Sequence, residues 1–172
     1  MINWIQNTPT LFLVDSRRDY DILTNDKTEK WEVATYLGEN KILLISPENY
    51  EKGSIHKYSQ EEYFSLIKHE LSHLFYQILS QGQEPCWLDE GFAIFSSGQL
   101  NNKKRIKKFE NFLDYYKQAN EGIYKKSDFA VEVLVKKFGK EKVLNFLTEL
   151  PKIKNEENFK KKFQKHFGIN LN

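Results

Sequence analysis

The hydrophobic pattern of this chain changes once, between residues 47 and 59, and the change limits the folds that the chain can adopt. Three short runs before residue 47 are rich in β-branched and aromatic residues, at 10–15, 31–37 and 41–46, and this composition predicts strands. Residues 16–25 are predicted to form a short helix after the first run, and Gly38-Glu39-Asn40 a hairpin turn.

After residue 59, apolar residues recur every three or four positions, which predicts helices. The predicted helices span 59–80, 87–97, 103–118, 127–138, 140–149 and 155–166. This order predicts an α+β fold, with a small mixed or antiparallel N-terminal sheet packed on the first long helix and then a mostly helical C-terminal lobe. The 172 residues fit a single domain, 1–172, whose lobes meet between residues 82 and 83.

Composition narrows the classes of function. The 26 basic and 24 acidic residues leave a net charge of +2, which gives no argument for nucleic acid as a partner. The lysine-rich runs at 103–108 and 160–165 have apolar residues at helical spacing. We interpret them as amphipathic helices with solvated basic faces, rather than as surfaces for nucleic acid or anionic lipid.

Cysteine usage and the apolar runs bear on the compartment. Cys86 is the chain's one cysteine, so an intrachain disulfide and a four-cysteine metal site are excluded, and we expect a small buried hydrophobe there. The N-terminus lacks the pattern of a signal peptide, and the longest apolar runs are too short to span a bilayer. If the chain is complete, a cytoplasmic protein with no membrane partner is expected.

The helix predicted at 59–80 carries two of the chain's four histidines, His69 and His73. Residues four apart lie on one side of a helix, so both imidazoles can bind one metal ion. Glu70, about a quarter turn away, can reach a water molecule at that ion. Ile67, Leu71, Leu74 and Ile78 form a different face, so one side is expected in a core and the other in a cleft. The alternative is two surface histidines on an amphipathic helix.

A catalytic zinc ion needs a third protein ligand and keeps a fourth position for water or substrate. The segment PCWLDEGFAIF (85–95) offers Glu90 at the start of a second predicted helix. The turn at 82–85 allows this helix to return beside the first one. The alternative interpretation makes Asp89 and Glu90 an ordinary acidic first turn, which the helix dipole favours.

Taken together, His69-Glu70-x-x-His73 and Trp87-Leu88-Asp89-Glu90-Gly91-Phe92-Ala93 resemble the gluzincin metallopeptidases. The likeness is to the compact peptidase-MA-like domains and to the catalytic domain of the membrane-alanyl-aminopeptidase family. It implies a minimal thermolysin-like catalytic domain with one zinc ion per chain, held by His69, His73 and Glu90. It also implies that Glu70 is the general base.

The segment IYKKSDFAVEVLVKKFG (123–139) resembles the part of these aminopeptidases that supplies a tyrosine to the transition state. This likeness implies a catalytic role for Tyr124, although Ser127 stands where the family usually has glycine. A tyrosine on an amphipathic helix is otherwise a packing residue.

The expected activity is hydrolysis of peptide bonds in a peptide or protein substrate. We expect an endopeptidase, with residues 41–46 as an edge strand that pairs with an extended substrate. One alternative is an aminopeptidase that binds the substrate's amine through Glu39, although a hairpin turn already explains Gly38-Glu39-Asn40. Another alternative is a non-catalytic binding module that is stabilised by zinc. The presence of Glu70 disfavours this alternative, because a structural zinc site needs ligands but no base.

Overall fold

The computed structural model describes residues 7–83, 85–99 and 123–171, with backbone alone at 123–125. Within these ranges the protein has an α+β fold with seven α-helices and three strands. The helix predicted at 103–118 and the lysine-rich run at 103–108 lie outside the described residues. Inter-residue contacts divide the chain into two compact units, Met1–Leu74 and Phe75–Asn172. The boundary between the two units lies inside the helix Gln60–Ser80, rather than in the turn that follows this helix.

The first unit contains a mixed sheet of β1 (Thr10–Val14), β2 (Ala34–Gly38) and β3 (Lys41–Ile45). The strand order is β1-β3-β2, with β1 parallel and β2 antiparallel to β3. Helix α1 (Arg17–Thr24) follows β1. Strand β2 begins three residues later than predicted.

The expectation that residues 41–46 form an edge strand is wrong. β3 lies between β1 and β2, so both sides of its backbone are already hydrogen-bonded within the sheet. Its residues Ile42 to Ile45 are all 0% exposed. The run is apolar without alternation, as is typical of a strand covered on both faces, and a central strand cannot accept a substrate backbone.

Short helical turns at Pro47–Asn49 and at Tyr50–Gly53 (α2) lead to the long helix α3 (Gln60–Ser80). The hydroxyl of Ser59 accepts a hydrogen bond from the Glu62 amide at 3.4 Å and so caps the start of the helix. Gln81 and Gly82 adopt positive φ angles of 53° and 72°, which end the helix.

One face of α3 packs in the core of the first unit. Tyr63 is buried there, and its hydroxyl donates to the Ile45 carbonyl at 2.9 Å. Leu66, Ile67 and Leu71 border the same cluster. Two residues of the apolar face predicted from the sequence, Ile67 and Leu71, thus pack against the core of this unit.

The second unit contains helices α4 (Cys86–Ser97), α5 (Ile123–Phe138), α6 (Lys140–Leu147) and α7 (Glu156–Phe167). Trp87 on α4 is fully buried, with Phe159 and Phe163 of α7 at ring-centroid distances of 6.4 and 6.1 Å. The lysines between these phenylalanines form exposed ion pairs such as Lys161–Glu157. The run at 160–165 is therefore part of an amphipathic helix, as predicted.

No helix in the described ranges is both long enough and apolar enough to cross a membrane.

Candidate metal centre

His69 and His73 lie one turn apart on α3 and present their Nε2 atoms to the same place. The two nitrogens are 3.1 Å apart, and the rings meet edge to face with an interplanar angle of 78°. His69 is 9% exposed, and His73 is partly buried. The pair is therefore not a pair of surface histidines.

Helix α4 carries Glu90 and begins after a tight turn from α3. Within the second unit, the Tyr76 hydroxyl donates to the Gln83 carbonyl at 3.0 Å, and the Gln77 amide donates to Asp89 at 3.5 Å. These bonds tie the last turn of α3 to the turn and to the first residues of α4. α3 is continuous, and His73 precedes Gln77 by one turn of this helix.

The ligand atoms of His69, His73 and Glu90 all lie within 4.8 Å of one another. Two nitrogens bound tetrahedrally to zinc at about 2.0–2.1 Å are about 3.3 Å apart, which is close to the 3.1 Å between the histidines. Two imidazoles and one carboxylate also match the ligand set of catalytic zinc sites. The residues therefore fit a zinc ion, although one N–H···N hydrogen bond would also give this histidine spacing.

Glu70 lies on α3 between the histidine face and the apolar face. Its side chain is 6% exposed, and it follows Leu66 of the core cluster by one turn. Glu70 is therefore a largely buried carboxylate next to His69 in the sequence, and its role as the general base stays a prediction.

Gly91 permits α5 to lie against α4 immediately after Glu90. A Cβ atom at position 91 would lie 2.3 Å from the Ser127 carbonyl oxygen and 2.7 Å from Val131 Cγ2. Glycine is required here because the two backbones approach too closely for any side chain. Ser127, which departs from the family pattern, is fully buried at this contact.

Tyr124 is placed by its backbone in α5, which begins at Ile123, four residues earlier than predicted. Its side chain lies outside the described part of the structure, so its catalytic role stays a prediction.

Glu39 occupies the hairpin turn between β2 and β3. Glu39 and Asn40 have positive φ angles of 47° and 62°, which is typical of a tight hairpin turn. The Glu39 carboxylate is 84% exposed and pairs with Lys41 at 2.6 Å. The hydrogen bond and charge of Lys41 lower the pKa of Glu39.

The chain's cysteine and its two other histidines contact protein groups outside the candidate ligand set. Cys86 packs against the core of the second unit but is only partly buried, not the buried hydrophobe that was expected. The ring nitrogens of His56 and His166 lie 2.9 Å from the carbonyl oxygens of Trp31 and Lys142.

Tyr20 of α1 is a buried polar residue that the sequence did not single out. Its side chain is 1% exposed, and its hydroxyl has no hydrogen-bond partner among the described residues. Burial raises the pKa of the Tyr20 phenol, and the negative charge of Glu70 raises it further. The one signal in the sequence was a tyrosine on the apolar side of a short amphipathic helix.

Comparison of the chain with protein-family models, with curated proteins and with solved structures gave no match. The assignment of a function therefore depends on the residues of the site and on the motifs that contain them.

Proposed function

We propose that this protein is a zinc metallopeptidase of the gluzincin type. The observation that carries the proposal is the convergence of His69, His73 and Glu90 within 4.8 Å, with the buried Glu70 on the same turn of α3. The spacing of the motifs and this convergence are independent, because helical periodicity places the two histidines together but cannot place Glu90 beside them.

His69, His73 and Glu90 would hold the zinc ion. When bound, zinc polarises a peptide carbonyl and lowers the pKa of water. Glu70 accepts the proton of the attacking water and delivers it to the leaving amine. Tyr124 is the proposed additional donor to the oxyanion, a role implied by the family resemblance and by the need for a second donor.

Metal analysis tests the ligand set. We expect about one zinc per chain in the wild type, and loss of stoichiometric zinc in His73→Ala, because two remaining ligands bind weakly. His56→Ala is the matched control, because His56 is an exposed histidine that contacts a backbone carbonyl. Undiminished zinc in His73→Ala would exclude this site.

An endopeptidase remains the proposed type of activity. An aminopeptidase needs a carboxylate beside the scissile bond to bind the substrate's ammonium group. Glu39 is instead an exposed turn residue that already pairs with Lys41. The aminopeptidase and the zinc-stabilised binding module are the two alternatives that the activity measurements below distinguish.

A further inference from the structure

Strand β1 lies at an edge of the sheet and exposes apolar side chains there. Among the described residues β1 pairs with β3 alone, and Leu11, Phe12 and Leu13 are 44%, 40% and 55% exposed. Edge strands of natural proteins usually carry a charge, a proline or a bulge that prevents pairing with another chain. Thr10–Val14 has none of these, and its register with β3 is uninterrupted. The edge is therefore open to a further strand.

The opposite edge of the sheet differs in this respect. The register of β2 with β3 is interrupted between Tyr36 and Gly38, and the exposed ion pair of Glu39 with Lys41 follows directly. A bulge and charges of this kind are what blocks pairing at an edge. The contrast makes β1 the edge of this sheet that is suited to association.

The backbone of β1 directs a defined set of groups away from the sheet. The Thr10 amide and the Val14 carbonyl each hydrogen-bond to a residue next to β3, at 2.8 Å. Alternate residues of a strand point their N–H and C=O groups to the same side, so Thr10, Phe12 and Val14 face β3. The N–H and C=O groups of Leu11 and Leu13 therefore face outward, and no described residue hydrogen-bonds to them.

These outward groups are complementary to a second copy of the same strand. When two antiparallel copies of β1 are centred on Phe12, Leu11 of each lies opposite Leu13 of the other as a hydrogen-bonded pair. Phe12 then lies opposite its own copy as a close, non-hydrogen-bonded pair, in which the two rings can contact each other. The same alignment places Asp15 opposite Pro9, so like charges do not face each other.

We propose that this protein forms a two-fold symmetric homodimer in which two β1 strands pair antiparallel and join their sheets into one. A two-fold interface requires a surface that is complementary to itself, and the alternation of outward groups in β1 meets this requirement. The dimer does not depend on the proposed zinc site.

Sedimentation velocity of the full chain tests the dimer. We expect the mass to rise from 20.5 kDa toward twice that value as the protein concentration increases. A dissociation constant of roughly 10–100 μM is expected, because one strand pair buries less surface than a standard interface. Leu13→Lys should weaken the dimer at least about tenfold, because it places a charge at the edge.

Leu144→Lys is the matched control, because it adds the same charge at an exposed leucine of α6 and should leave the dissociation constant unchanged. A wild type that stays monomeric at about 200 μM, well above the expected constant, would overturn the proposal and leave this edge to a strand of another protein. A dimer that Leu13→Lys does not weaken would overturn it as well.

Disulfide cross-linking tests the register without adding a charge, in a Cys86→Ala background. Phe12→Cys should form an intermolecular disulfide on mild oxidation, because its two copies have Cα atoms about 4.5 Å apart. Leu13→Cys is the matched control, because its two copies lie on a diagonal about 7–8 Å apart, too far for a disulfide. Equal cross-linking of the two variants would overturn the proposed pairing.

Discussion

At the scale of single residues, substitution of Glu70 distinguishes an enzyme from a zinc-stabilised binding module. Glu70→Gln should retain zinc and the circular dichroism spectrum, because Glu70 is not a ligand. It should lower turnover of a cleavable peptide by at least about 100-fold, because an amide cannot accept the proton of the attacking water. Turnover at the wild-type rate would show that Glu70 is not the base.

Substitution of Glu39, another single-residue change, distinguishes an endopeptidase from an aminopeptidase. Because its carboxylate is exposed and paired with Lys41, Glu39→Ala should leave cleavage of every substrate unchanged. A peptide library, half of it N-acetylated and analysed by mass spectrometry, should give internal cuts in both halves. Removal of single N-terminal residues from unblocked peptides only, lost in Glu39→Ala, would favour the aminopeptidase.

At the scale of elements, the contact between α4 and α5 depends on Gly91. Alanine normally stabilises a helix interior by up to about 1 kcal/mol relative to glycine. Here the added Cβ would overlap the Ser127 carbonyl oxygen and the Val131 side chain. We therefore expect the opposite sign, with Gly91→Ala losing about 2–3 kcal/mol and binding zinc more weakly, because Glu90 is the preceding residue.

Thermal unfolding and zinc titration measure both effects. Ser96→Ala is the control, because Ser96 is exposed on the same helix and its substitution should change Tm by little. A Tm for Gly91→Ala equal to or above that of the wild type would mean that α4 and α5 are not packed at this distance.

At the scale of the whole molecule, zinc should stabilise the folded chain, because the three ligands come together only in the folded state. A free zinc concentration 100 times the Kd adds about 2.7 kcal/mol, which raises Tm by roughly 5–10 °C. Chelation should reverse the increase. The same rise in His73→Ala would place the stabilising zinc at a different site.

The sequence alone determined the features that depend on neighbours within a turn or two of one element. Helical periodicity predicted α3, its apolar face and the common direction of His69 and His73, and the phenylalanine spacing predicted the buried face of α7. These features follow from 3.6 residues per turn, which holds wherever the helix is packed.

The tertiary structure alone decided which residues from separate elements meet. It placed Glu90 with the two histidines, put β3 in the centre of the sheet and showed why residue 91 is glycine. Strand order and the approach of α4 to α5 result from long-range packing, in which many side chains compete for the same space. The spacing of apolar residues within one segment does not depend on which other segments pack against it. These contacts therefore could not be predicted from the hydrophobic pattern of the chain.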